Sequence, residues 1–98
     1  MKNPCVYILA SKFLGTLYIG VTSDLPKRIW KHKNDTNEGF TKQYSVHDLV
    51  YYEMHGSMEE AILREKQMKK WNRKWKVRLI SENNPKWEDL YDDIKERY

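Results

Sequence analysis

Two short apolar runs open the chain, Cys5-Val6-Tyr7-Ile8-Leu9 and Leu17-Tyr18-Ile19-Gly20-Val21, with turn chemistry around Gly15 between them. Side chains alternate across a strand, so Val6 and Ile8 face away from Tyr7, and Leu17 and Ile19 face away from Tyr18. An even number of residues in the connection puts both phenols on one face of the hairpin. The pattern predicts strands over residues 5–11 and 17–22. A helix then opens at Asp24, whose carboxylate caps the first turn, with Pro26 placed where a missing N–H does no harm. It runs to Lys33, and Asn34, Asp35, Asn37 and Gly39 signal a loop.

Leu49-Val50-Tyr51-Tyr52-Glu53 is rich in strand formers and is read as a third strand. Gly56 marks a turn, and Ser57 with Glu60 three residues on forms a capping box for a helix from Met58 to Trp71. A further helix is expected over residues 73–81, closed by Asn83-Asn84-Pro85 because proline disfavours helix in the residue before it. In the tail, Trp87, Leu90, Tyr91 and Ile94 recur at helical spacing, so a last helix is predicted within residues 86–96. The order strand, strand, helix, strand, helix, helix, helix implies an α+β domain with a small, three-stranded, mostly antiparallel sheet flanked by helices.

The 98 residues suffice for one domain with one modest core, so residues 1–98 are expected to fold as a unit. A single cysteine builds no internal disulfide framework, and three histidines with it supply no zinc cluster of the usual spacings. Cys5 is read as a small buried residue. No apolar run approaches the roughly 18 residues of a membrane span, and the amino terminus lacks a signal-peptide pattern, so no membrane contact and a cytoplasmic home are expected.

The excess of 18 basic over 14 acidic residues leans toward an anionic partner. Its distribution says more. Arg64, Lys66, Lys69, Lys70, Arg73, Lys74, Lys76 and Arg78 face Glu65 alone, with Trp71 and Trp75 interleaved, whereas the tail is acidic. Lys66, Lys69, Lys70, Arg73 and Lys74 are the candidates for holding a nucleic-acid backbone. The two tryptophans either stack on unpaired bases or, with Leu79 at the same spacing, form a core stripe.

Two positions break the binary pattern of the helices. Glu65 falls within the apolar stripe of Met58, Ala61, Ile62 and Met68, where an unpaired charge is costly. A divalent metal or an arginine of a neighbouring helix would satisfy it; otherwise it lies at the stripe's wet edge, paired with Lys69 at i+4. Arg28 and His32, four residues apart, share a helix face that Lys31 and Lys33 are not expected to share. A guanidinium stabilises phosphodiester charge and a neutral imidazole relays a proton near pH 7, although a solvated basic edge is the simpler reading of the pair alone. A phenol with a pKa of about 10 is a poor base, so a catalytic Tyr7 needs a nearby cation or a proton acceptor such as His32.

Taken together, these residues resemble the GIY-YIG nuclease family from Pro4 to at least Lys76. Cys5-Val6-Tyr7 stands for the first triplet, and Tyr18-Ile19-Gly20 is the second, followed by Val21-Thr22-Ser23-Asp24-Leu25 and then Arg28 and His32. Thr41 stands where similar proteins often have threonine. The runs Glu65-Lys66-Gln67-Met68-Lys69-Lys70-Trp71 and Asn84-Pro85-Lys86-Trp87-Glu88-Asp89-Leu90 resemble the small stand-alone bacterial branch of predicted endonucleases.

The resemblance implies DNA phosphodiester cleavage with one Mg²⁺ or Mn²⁺ held by Glu65. Tyr7 would be the general base or would orient the water, with His32 taking up its proton. Tyr18 would position water or phosphate, Arg28 would neutralise the pentavalent intermediate, and Gly20 would let the backbone approach closely. Many members carry a further asparagine, for which Asn72, Asn83 and Asn84 are candidates by type. No separate DNA-recognition domain fits in the chain, so specificity is expected from DNA structure, from a protein partner, or not at all. The alternative is a nucleic-acid-binding or interaction module that keeps the fold without efficient cleavage.

Overall fold

The computed structural model describes residues 3–34 and 45–95, so the loop positions Asp35, Asn37 and Gly39, together with Thr41 and Glu96, lie outside the described residues. Strands β1 (Cys5–Ala10), β2 (Leu17–Thr22) and β3 (Asp48–Met54) form one antiparallel sheet in the order β2-β1-β3. Helix α1 (Leu25–Lys33) lies between β2 and β3 in the chain, and α2 (Met58–Lys70), α3 (Arg73–Asn83) and the short α4 (Tyr91–Lys95) follow.

All six residues of β1 are buried, because this central strand meets a separate apolar cluster on each face. On one face Val6, Ile8 and Ala10 pack with Ala61 and Met68 of α2, Ile80 of α3, and Trp87. On the other, Cys5, Tyr7 and Leu9 pack with Leu25 and Ile29 of α1 and Ile94 of α4. Strand alternation therefore assigns each residue of β1 to one of two cores rather than to core or solvent. A register shift between Ile8 and Leu9 turns both Val50 and Tyr51 of β3 to the α2–α3 face. Cys5 is the expected buried thiol, and burial pushes its pKa up to about 12.

Local signals set the helix starts. Asp24 accepts from the Lys27 N–H and Ser57 from the Glu60 N–H. The capping box differs from expectation in one bond: Glu60 Oε2 accepts from the Gly56 N–H at 3.3 Å, one residue before the cap. Asn72 caps α3 through the Trp75 N–H.

The tail departs most from its predicted form. Residues 86–90 are not helical; Trp87 adopts a left-handed φ of 54° and buries its ring, with Nε1 donating to Ser81 Oγ. Asn84 explains the break. Buried at 8% exposure, it donates from Nδ2 to Val50 O and Glu88 O and accepts at Oδ1 from the Glu88 N–H. Farther on, Leu90 N donates to Leu49 O, and Asp89 accepts from Leu49 N and from Lys33 Nζ of α1. The periodic apolar residues thus reach the body along a pinned extended segment that ties α1, β3 and α4 together.

Replacing Asn84 with alanine leaves those backbone groups without partners in a buried place. The expected loss is about 2 kcal/mol, or roughly 10 °C in Tm for a domain of this size. Thermal melting followed by circular dichroism checks it, and an unchanged Tm would remove Asn84 from this role.

Candidate active site

Tyr7 and Gly20 are cross-strand partners, as are Leu9 and Tyr18, so both phenols leave the sheet on the α1 face. A Cβ on Gly20 would lie 2.4 Å from both Cζ and Oη of Tyr7. The missing side chain is therefore the space the Tyr7 ring occupies as it extends across β2 toward α1. There its Oη meets His32 Nε2 at 3.0 Å and receives Arg28 Nε at 3.3 Å. The rings of Tyr7, Tyr18 and His32 form a triangle with centroid separations of 6.3, 5.7 and 5.5 Å. The i, i+4 spacing on α1 gives Arg28 and His32 their common side.

Burial sorts the four residues into two layers. Tyr7 is fully buried and His32 is 2% exposed, while Tyr18 and Arg28 are half-buried. Burial drives the Tyr7 phenol well above its ordinary pKa, against the opposing hydrogen bond from Arg28. For His32, burial first, then the charges of Arg28 and His47, lower the pKa to about 4. At neutral pH both groups are uncharged. The Tyr7 oxygen accepts from Arg28 Nε, and in the tautomer that leaves His32 Nε2 unprotonated the phenol donates to it. Hydrogen bonding to Tyr7 raises the Arg28 pKa further, with Tyr18 contributing, so the site's positive charge is fixed.

Glu65 is placed differently. It sits on α2, the helix that packs on β2 and β1 from the other face of the sheet. Its carboxylate is 3.5 Å from Lys69 Nζ, and its side chain is 15% exposed. The i+4 pairing with Lys69 is thus present, and the carboxylate is nonetheless mostly enclosed. It is linked to the tyrosine side around the open edge of the sheet: Lys69, together with Lys76 of α3, lines a notch against Leu17, Tyr18 and Ile19 of β2.

The basic block divides in the same way. Arg64 bonds Glu53 Oε1 at 2.6 Å and lies over the Trp71 ring, while Tyr51 donates to the same carboxylate. Arg73 donates to the carbonyls of Leu14 and Gly15, holding α3 against the β1–β2 turn, where Leu14 has a left-handed φ of 56°. Lys66, Lys70 and Lys74 are exposed. The tryptophans split as well: Trp71 packs against the core and Trp75 is 55% exposed. Of the asparagines, Asn72 caps α3, Asn83 bonds Leu79 O, and Asn84 clamps the tail, so all three serve the fold.

Sequence reasoning passed over Lys27, Lys31 and Lys76. Lys27 and Lys31 line a notch with Thr22, Asp24 and Arg28, which corrects the expectation that Lys31 lies off the Arg28 face. The signal was available, since Lys31 stands at i+3 from Arg28 and i+3 neighbours meet on a helix surface.

Of the residues named for the site, Glu65 alone is a carboxylate, and it is paired with Lys69. No group of three or more His, Cys, Asp or Glu residues stands ready for a metal among the described residues. Mg²⁺ commonly takes one or two carboxylates, with water and substrate phosphate completing its shell, and the enclosed carboxylate of Glu65 suits that arrangement.

Two outcomes follow from this geometry. The His32 ring should titrate with a midpoint of about 4 by NMR. Because the unfolded chain takes up that proton at about 6.5, stability is complete above that pH and declines by up to about 3 kcal/mol as the pH falls to 4. A midpoint near 6.5 would contradict the buried neutral pair. Gly20→Ala should destabilise the fold by about 1–3 kcal/mol and displace the Tyr7 ring, moving the His32 midpoint toward its ordinary value. Chemical denaturation and the same NMR titration check both effects.

The GIY-YIG catalytic domain matches residues 3–78 of this chain. A UPF0213 protein of Staphylococcus saprophyticus is 42% identical over 82 residues, covering 84% of this chain and 99% of its own. A UPF0213 protein of Staphylococcus aureus is 38% identical with the same coverage. The solution NMR structure of the UPF0213 protein from Bacillus halodurans is similar with a TM-score of 0.55 and 32% identity, covering 90% of this chain and 93% of that one. The domain match spans Tyr7, Tyr18, Arg28, His32 and Glu65 alike, and the chain belongs to the GIY-YIG family.

Proposed function

We propose that this protein is a divalent-metal-dependent endonuclease that hydrolyses phosphodiester bonds of DNA. The observation that carries the reading is the chain Arg28 Nε–Tyr7 Oη–His32 Nε2, a fixed cation joined through a buried phenol to a neutral imidazole. A purely structural pair of aromatics has no need of the guanidinium, and a binding patch has no need of a buried proton acceptor behind it. Membership in a nuclease family supports the same reading.

Tyr18 and Arg28, in the half-buried layer, would meet the substrate. Arg28 places its charge where the pentavalent phosphate gains negative charge, which is the largest electrostatic contribution available here. Its guanidinium also covers Tyr7, so a phosphate that draws Arg28 outward uncovers the phenol oxygen. The attacking water then gives a proton to Tyr7 Oη while Tyr7 passes its own to His32 Nε2. In the tautomer with Nε2 unprotonated, His32 is the acceptor behind Tyr7, and its burial keeps it neutral until it takes that proton. Glu65 would hold one Mg²⁺ or Mn²⁺, which when bound would supply Lewis-acid polarisation of the scissile phosphate.

Supercoiled plasmid and branched DNA incubated with Mg²⁺ or Mn²⁺ provide the test. Arg28→Ala, Tyr7→Phe and Glu65→Gln are each expected to slow nicking by about 100-fold or more, while Lys86→Gln retains the wild-type rate. Wild-type protein inactive with both metals, or nicking that persists undiminished in all three variants, would overturn the reading. Either result would favour a nucleic-acid-binding module on the same fold.

A further inference from the structure

The two cationic notches described above flank the same strand edge from opposite sides. β2 is an outer strand of the sheet, and among the described residues only β1 pairs with it. On the α1 face, Lys27 and Lys31 stand with Arg28 in one notch. On the α2–α3 face, Lys69 and Lys76 stand with Tyr18 in the other. Arg28 bonds the Tyr7 phenol and the Tyr18 ring lies against the Tyr7 ring, so the notches meet at the candidate active site.

We infer that the β2 edge is a crossing for a phosphodiester backbone. In this arrangement, which rests on the nuclease reading, the scissile phosphate lies over Tyr18 and Arg28. The flanking phosphates on one side lie against Lys27 and Lys31, and those on the other against Lys76 and Lys69. Charge supports the direction of the track. The first notch carries three cations against Asp24, whose carboxylate is turned to the Lys27 N–H as the cap of α1. The second contains two lysines and no carboxylate among its lining residues, and one of the two, Lys69, is paired with Glu65 at 3.5 Å.

Two features of the fold build the crossing. Arg73 fastens the first turn of α3 to the carbonyls of Leu14 and Gly15, and Lys76, three residues on, is thereby set beside Leu17 and Tyr18. Arg73 is accordingly a positioning residue for Lys76. An edge strand also presents unpaired backbone N–H groups outward, which are donors for whatever anion runs along it. The exposed lysines 66, 70 and 74 of the basic block line neither notch.

Metal-free binding separates this inference from the question of cleavage. A fluorescein-labelled oligonucleotide, single-stranded in one arm and duplex in the other, is titrated with protein in chelator across a salt series and followed by anisotropy. Lys27→Gln and Lys76→Gln are each expected to weaken binding several-fold and to lower the log–log salt slope by about 1, with the double variant lowering it by about 2. Lys86→Gln should leave slope and affinity as in the wild type. The arm with the larger loss identifies the strand form that uses the crossing. Melting temperatures confirm that each variant folds, and the exposed Lys27 carries the test by itself if the half-buried Lys76 does not tolerate exchange.

Unchanged slopes in Lys27→Gln and Lys76→Gln would overturn the crossing, as would an equal loss in Lys86→Gln. A slope that falls as expected in a protein that never nicks DNA would keep the crossing and remove the hydrolysis. Nicking with unchanged slopes would do the reverse.

Discussion

The phenol of Tyr7 lies in the volume that a side chain at position 20 would fill, and the rest of the candidate site is arranged around that ring. Because Gly20 is open, Tyr7 can lie across the hairpin instead of standing upright in the core, and its oxygen arrives at α1. Because the oxygen is there, His32 has a partner within the buried layer, and Arg28 has an acceptor that draws its guanidinium over the sheet. A buried imidazole and a buried phenol are each costly when unpaired. Joined, they satisfy one another without charge, and the only permanent charge among the four residues on the α1 face is that of Arg28 at the surface.

A second constraint is the two-sided burial of β1. A central strand with helices on both faces divides the chemistry of this domain: the tyrosines, Arg28 and His32 on one side, Glu65 and the α2–α3 cations on the other. Both sides come together at the outer edge of β2. Tyr18 is on that edge, facing the first group and lining a notch with Lys69 and Lys76 of the second. The hairpin turn matters for the same reason, since Arg73 uses its carbonyls to hold α3 alongside β2.

Much of this was legible in the sequence where the cause is local. Alternation around Tyr7 and Tyr18, the Asp24 and Ser57 caps, and the i, i+4 pairing of Arg28 with His32 depend on neighbours within a few residues, and the structure contains each. What was not legible depends on distant partners. Trp87, Leu90, Tyr91 and Ile94 have helical spacing, yet Asn84 reaches Val50 and Asp89 reaches Leu49 and Lys33, and those bonds impose an extended path up to Tyr91. The basic block reads as one patch, but Glu53 and the turn carbonyls, remote in the chain, engage Arg64 and Arg73. Glu65 was singled out as a charge on an apolar stripe, of which the structure buries Ala61 and Met68 and exposes Ile62; that its helix covers the opposite face from Tyr7 follows only from the tertiary packing.

The depressed pKa of His32 bears on how such a layered site can work. A surface histidine beside Arg28 would be half-protonated near pH 6.5 and would compete with the guanidinium for phosphate. Burial removes that competition, because protonation waits until about pH 4. The same burial makes a charged His32 unfavourable, so in the nuclease reading the proton that Tyr7 passes on would be held only weakly. Desolvation therefore keeps the acceptor vacant at neutral pH, which gives a physical reason for a site that has Tyr7 and His32 beneath Arg28 rather than beside it.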